Sequence, residues 1–199
     1  MSVSLRAATE ADAAACAKLY APYVRDTCVT FELEAPAQEE MAHRIREYSK
    51  HAPWLLAVDE ARQVLGYAYG SRYRARPAYD WTAEVTVYVA HAAQRRGIGR
   101  ALYRALLDLM RLQGFHSALG VISLPNDASI ALHEALGFEP VGVLRAAGHK
   151  HGAWHDTGLW QCRLGITGAA PIPLRGAAEV LASGRGRAVL ERERLRTHS

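Results

Sequence analysis

The stretch of this chain with the clearest chemical content is a strand followed by a basic, glycine-pinned turn. Val85-Thr86-Val87-Tyr88-Val89 alternates with period two, and after a four-residue link comes Gln94-Arg95-Arg96-Gly97-Ile98-Gly99-Arg100-Ala101-Leu102. The N–H groups in the first turn of a helix lack carbonyl partners, and the helix dipole favours negative charge there. Glycines at 97 and 99 leave room for a pyrophosphate to reach the backbone, and the arginines add positive charge. Two better-known phosphate loops do not fit. A Walker A loop needs Lys-Ser/Thr where Arg100-Ala101 stands, and a dinucleotide fingerprint needs a third Gly or Ala where Leu102 stands. A second group, His149, His151, His155 and Asp156, invites a metal reading, but its spacing matches neither an HExxH helix nor a zinc finger, and no metal is expected.

These residues need elements to hold them. Thr9-Glu10-Ala11-Asp12 looks like a helix start, and Cys16, Leu19, Tyr20 and Tyr23 form one apolar stripe, so a helix is expected over roughly 10–20. A second helix should begin after Pro36 with Met41, Ile45 and Tyr48 inward. Residues 54–58 and 64–69, around a polar turn at 59–63, read as a β-hairpin. The strand 81–89 places Glu84 on the face opposite Val85, Val87 and Val89. A helix should then run to about Gln113 with Leu102, Leu106, Leu109 and Met110 buried, closed by Gly114 in a left-handed conformation. A strand at 118–122, a helix from Pro125-Asn126-Asp127 to Gly137, and strands at 138–144 and 154–164 complete an α/β (α+β) pattern.

The 199 residues are half apolar, enough to fill one sizeable core. No apolar run is long enough to span a membrane, and charges at Arg6, Glu10 and Asp12 interrupt a signal peptide. Cys16, Cys28 and Cys162 are odd in number and widely spaced, which points to a reduced cytoplasmic protein. Of the net charge of +4, residues 166–199 supply +3 through six arginines and three glutamates. A nearly neutral body argues against nucleic acid as a partner. The expected organisation is a domain over 1–165 and a basic, flexible tail over 166–199, in which 177–181 and 188–195 could form short helices that nothing secures. Truncation after Leu164 is then expected to be harmless.

Gln94-Arg95-Arg96-Gly97-Ile98-Gly99 resembles the acetyl-CoA pyrophosphate signature of the GNAT superfamily of N-acyltransferases. Asn126 and Ala131-Leu132-His133-Glu134-Ala135-Leu136-Gly137-Phe138 match that family's next helix and strand. Tyr79-Asp80-Trp81-Thr82-Ala83-Glu84, Leu124-Pro125-Asn126-Asp127, Leu144-Arg145-Ala146-Ala147-Gly148 and Lys150-His151-Gly152-Ala153-Trp154-His155-Asp156 resemble the phosphinothricin N-acetyltransferase subgroup, over about residues 4–164.

The resemblance implies the GNAT fold, a mixed central sheet flanked by helices, and acetyl-CoA as cosubstrate, with no metal. It implies a small-molecule amine as substrate: phosphinothricin, or its analogues methionine sulfoximine and methionine sulfone. Acyl transfer to an amine needs a proton acceptor for the ammonium and help for the leaving thiolate. The resemblance carries the base role to Glu84. It carries a second acid–base role to His133, where many relatives have tyrosine, without choosing acid or base. It places acetyl-CoA on Thr86, Val87, Tyr88, Val89, Gln94, Arg95, Arg96, Gly97, Ile98, Gly99, Arg100 and Asn126. It places substrate on Phe31, Arg74, Arg76 and Tyr79, since arginine forks suit carboxylate and phosphinate oxygens. Acetylation of protein N-termini or polyamines is the enzymatic alternative, and a non-catalytic acetyl-CoA-binding module is the alternative of another class. A homodimer is a further expectation.

Overall fold

The computed structural model describes residues 2–166, 168, 170–193 and 195–196. The strands are β1 (Ser2–Ala7), β2 (Trp54–Val58), β3 (Val64–Arg72), β4 (Thr82–Val89), β5 (Ser117–Ser123), β6 (Glu139–Lys150), β7 (Ala153–Arg163) and the short β8 (Leu195–Arg196). The helices are α1 (Ala13–Asp26), α2 (Gln38–Ser49), α3 (Ile98–Gln113), α4 (Asp127–Glu134), α5 (Ala177–Ala182) and α6 (Gly184–Arg192). The sheet order is β6-β7-β5-β4-β3-β2-β1-β8, and every adjacent pair is antiparallel except β4 with β5. The expected mixed sheet flanked by helices is therefore present. Among the described residues no helix is long and apolar enough to cross a membrane.

Two cores lie on the two faces of the sheet. Under α1 and α2, Tyr20, Tyr23, Met41 and Ile45 pack with Trp54, Tyr67 and Tyr88. Under α3, Leu102, Tyr103, Leu106 and Met110 pack with Leu55, Val85, Ala118 and Phe138. Alternation along β4 thus puts Val85, Val87 and Val89 toward α3 and leaves Glu84, Thr86 and Tyr88 toward α1. Gly97 (φ +79°) and Gly114 (φ +101°) bracket α3 as left-handed residues, the reason glycine occupies both ends.

Two expectations need correction. The first helix does not stop near residue 20 but runs through Pro22 to Asp26. The buried stripe of Leu19, Tyr20, Tyr23 and Val24 continues past the proline, and its packing outweighs the one lost backbone bond. The second concerns the segment 166–199, of which 167, 169, 194 and 197–199, and so part of the expected 188–195 helix, lie outside the described residues. It is not an unanchored tail over 170–193. Val180 and Val189 are buried in the α3-side core, and Trp81 Nε1 donates to the Ile172 carbonyl at 2.6 Å. Gln113 Nε2 donates to the Arg175 carbonyl at 3.0 Å, and Arg192 pairs with Asp108 of α3. The helices are too short to persist alone, and α3 supplies the surface that makes them stable.

Candidate active site

β4 and β5 share only three register pairs, Thr82 with Ser117, Ala83 with Ala118 and Glu84 with Leu119. Beyond Glu84 the strands part: β4 continues paired with β3 to Val89, while β5 continues paired with β7 to Ser123. A cleft of about 260 Å³ opens in this gap, lined by Glu84 to Tyr88 of β4, Val121 to Ser123 of β5, Tyr103, Asn126, Ser129 and His133. Tyr20, Thr30, Phe31, Glu32, Tyr69 and Thr157 close its other side.

Glu84 and His133 are thus brought to one cleft. No described residue bonds the Glu84 carboxylate, and burial pushes its pKa above the usual carboxylate value. A half-buried, unpartnered carboxylate in a cleft is poised to accept a proton. His133 is almost fully buried, and its Nδ1 lies 2.7 Å from the Ser129 carbonyl one helical turn back. Burial lowers its pKa, and the bond to Ser129 works in the opposite direction. Gly120 is the residue that admits it: a Cβ there would lie 2.5 Å from the imidazole.

The proposed cofactor residues form a continuous track from the gap to the start of α3. Thr86, Val87 and Tyr88 line the cleft, and Val89 follows them, its carbonyl accepting the Tyr23 hydroxyl. Gln94 Nε2 donates to that same hydroxyl at 2.9 Å, which ties the loop to α1. Arg95, itself at φ +60°, Arg96 and Arg100 are exposed and have no acidic partner among the described residues. They stand at the open N-terminus of the 16-residue α3, whose first backbone bond runs from Ala101 N to Gly97 O. Ile98 is buried and anchors the turn. A Cβ on Gly99 would find only ordinary contacts, Leu132 at 3.5 Å and Val89 at 3.6 Å. Neither contact demands glycine at 99, and a bare backbone there suits a ligand that lies on it. Asn126 caps α4 through its Oδ1, which accepts from Ser129 N at 3.2 Å, and its side chain also faces the cleft.

Of the expected substrate residues, the structure brings only Phe31 to the cleft. Phe31 lies against Gly148, where a Cβ would come within 2.3 Å of the ring, and its segment is held by Lys150 Nζ donating to the Thr30 carbonyl at 2.8 Å. Arg74, Arg76 and Tyr79 sit on the exposed loop between β3 and β4 and do not line the cleft. The Arg74 guanidinium lies over the rings of Tyr73 and Tyr79, 5.1 and 5.6 Å from their centroids, and Arg72 pairs with Asp80 at 3.1 Å. Sequence reasoning missed the polar wall opposite β4. There Tyr20 OH lies 2.6 Å from Thr30 Oγ1 and 3.1 Å from Glu32 Oε1, and Arg44 grips Glu32 at 2.7 and 3.2 Å. A carboxylate four residues after a cysteine in a loop carried no signal of this role. The histidines near the β6–β7 turn do not converge: His155 Nε2 meets the Lys150 carbonyl and Cys28 Sγ, while Asp156 is taken by Arg145 and Ala146 N.

Residues 5–159 match the family model described as acetyltransferase (GNAT) domain. The chain is 45% identical over 178 residues to the phosphinothricin N-acetyltransferase of Streptomyces viridochromogenes, covering 89% of this chain and 96% of that one. It is 35% identical over 175 residues to the L-methionine sulfoximine/L-methionine sulfone acetyltransferase of Pseudomonas aeruginosa, covering 86% of this chain and all of that one. Among solved structures, a GNAT superfamily phosphinothricin acetyltransferase from Sinorhizobium meliloti in complex with AcCoA superposes with a TM-score of 0.83. It is 38% identical and covers 86% of this chain and 94% of that one.

Proposed function

The chain belongs to the GNAT acetyltransferase family, and from that premise we propose that it acetylates the α-amine of phosphinothricin or of methionine sulfoximine or sulfone. The observation that carries this reading is the cleft where β4 and β5 part, with Glu84 at its apex and arginines at the end of its track, neither paired among the described residues. Acetyl-CoA, the family's cosubstrate, supplies the acetyl group as a thioester. Arg95, Arg96, Arg100 and the first-turn N–H groups of α3 would hold its pyrophosphate, and β4 from Thr86 to Val89 would hold its extended arm with Gln94, Gly97, Ile98, Gly99 and Asn126 around it.

Glu84 takes one proton from the substrate ammonium, directly or through water, and passes it to solvent, which frees the nitrogen to attack the thioester carbon. The second proton lost from nitrogen as the amide forms ends on the sulfur, so the products are the N-acetylated amine, the free thiol and one proton. Phe31 packs against the substrate side chain. Arg74, Arg76 and Tyr79 would reach its anionic groups by movement of the β3–β4 loop.

One observation favours acetylation of a polycationic amine instead. Glu32 and Glu84 line the cleft, and no lysine or arginine does so among the described residues. A kinetic panel with acetyl-CoA separates the two. Under our reading phosphinothricin and methionine sulfoximine turn over with kcat/KM at least about 10²-fold above leucine, because unpaired polar groups penalise an apolar side chain. Arg76→Ala then raises KM for phosphinothricin and spares acetyl-CoA binding. Faster turnover of polyamines or peptides than of both tetrahedral analogues would transfer the assignment to them.

A cytoplasmic site of action is supported by Cys16, Cys28 and Cys162, all free thiols. A second copy of the chain is the partner that best suits the β6–β7 edge, where Val141, Val143, Leu144 and Trp154 are exposed. A monomer in sedimentation would remove that partner.

A further inference from the structure

We propose that Tyr103 of α3 is a positioning residue of the active site, whose hydroxyl stands at the parting of β4 and β5 and sets the hydrogen bonding of His133 and of the Val85 carbonyl. Val85 is the first residue of β4 beyond the last register pair with β5. Tyr103 OH lies 3.1 Å from the Val85 carbonyl and 3.2 Å from His133 Nε2. The two rings meet edge to face with centroids 5.1 Å apart, and Phe138 closes the far side of the imidazole. Gly120, just past the same register pairs on β5, gives way to the imidazole. Tyrosine and histidine together wedge the strands open.

The proton count of this wedge is restrictive. A carbonyl can only accept, so the 2.7 Å contact between His133 Nδ1 and the Ser129 carbonyl puts a hydrogen on Nδ1. In the neutral ring Nε2 is then an acceptor. Tyr103 has one hydroxyl proton and two acceptors in reach, Nε2 and the Val85 carbonyl. When the imidazole is neutral, the proton can turn to Nε2 and leave the Val85 carbonyl available at the cleft apex. When the imidazole is protonated, Nε2–H donates to the tyrosine oxygen, and the hydroxyl proton is committed to Val85. His133 therefore acts through Tyr103, since neither ring nitrogen is free to face the cleft.

The groups around the pair leave this relay undisturbed. Glu84 and Tyr88 of β4 and Tyr69 of β3, which point to the α1 side of the sheet, lie within electrostatic reach of the Tyr103 hydroxyl. β5 carries no titratable side chain and sets Gly120 against the imidazole, and Glu134 of α4 is turned to Trp160 Nε1 at 3.2 Å. Burial alone lowers the His133 pKa, which keeps the ring in the neutral state that the relay needs.

The inference rests on the acetyltransferase reading for its kinetic arm but not for its spectroscopic one. His133 is followed by NMR titration of its ring in the full chain, with no substrate present. Tyr103→Phe removes a donor that favours the neutral ring, so the His133 titration moves to higher pH, and the contribution of His133 to the acid side of kcat/KM, separate from that of Glu84, moves with it while kcat falls roughly 10–100-fold. Replacing Tyr103 by 3-fluorotyrosine keeps the shape, makes a better donor, and moves the titration to lower pH. On a His133→Phe background, Tyr103→Phe no longer moves the acid side. A tyrosine with a packing role alone would lower kcat at every pH and leave the titration where it was. An unmoved titration in the fluorotyrosine protein overturns the proposal whether or not Tyr103→Phe folds. A moved titration in a chain that acetylates no amine would leave the wedge standing and refute the function.

Discussion

Glu84→Gln lowers kcat by roughly 10²–10⁴-fold and leaves acetyl-CoA affinity unchanged, the outcome expected when a proton acceptor is lost and shape is kept. The pH dependence carries the sign. A general base works only when ionised, and burial holds Glu84 above the ordinary carboxylate value. The wild-type rate therefore rises with pH through that raised value, and the variant loses this limb. Stability moves the other way. The folded-state pKa is raised, so the ionised carboxylate burdens the fold above its unfolded pKa, and glutamine relieves that burden at neutral pH. A variant that is slow yet melts no lower than wild type is the expected pair of results. Kinetics across pH 6–9 together with thermal melting check it, and a kcat within a few-fold of wild type would mark Glu84 as structural.

Deletion of residues 166–199 is the second large effect. The buried side chains of Val180 and Val189 alone represent roughly 3–6 kcal/mol of apolar burial. Trp81 Nε1 and Gln113 Nε2 would lose the Ile172 and Arg175 carbonyls, and Arg104 would lose Glu193. Freedom regained by the deleted segment's absence offsets part of this, because its ordering no longer has to be met. A net loss of a few kcal/mol lowers Tm by about 10 °C in a chain of this size. The bared flank of α3 would also drive association. Melting and solubility of the truncated chain are the measurements, and a truncation as stable as the full chain would show that α5 and α6 are passengers.

The sequence alone pointed to harmless truncation, and the reason is instructive. Gly184, Gly186 and a run of arginines give the segment poor helix propensity, and its few apolar residues form no long stripe. The surface that stabilises it belongs to α3, which periodicity within the segment cannot reveal. α3 itself was legible to both ends because left-handed glycines mark them, and the hairpin of β2 and β3 was legible from its polar turn. Pro22 misled in the opposite sense, since local chemistry argued for a stop that tertiary packing overrode. Within the site, Glu84 and the arginine loop stood out through alternation and motif. Tyr103 did not. It follows Leu102 in an apolar helix and reads as core, and only the parting of two strands gives its hydroxyl a task.

That parting also divides the molecule mechanically. β1 to β4 make one plate and β5 to β7 another, joined edge to edge by three register pairs, whereas β3 and β4 share seven and β5 and β7 share seven. Such a seam is more compliant than the joints on either side of it. A long ligand lying in the gap and gripping both lips would serve as a splint, and its binding energy would appear as rigidity of both plates rather than of one loop. Ala57 on β2 and Cys162 on β7, in different plates and far apart in the strand order, would then share one stiffness set by what fills the gap between them.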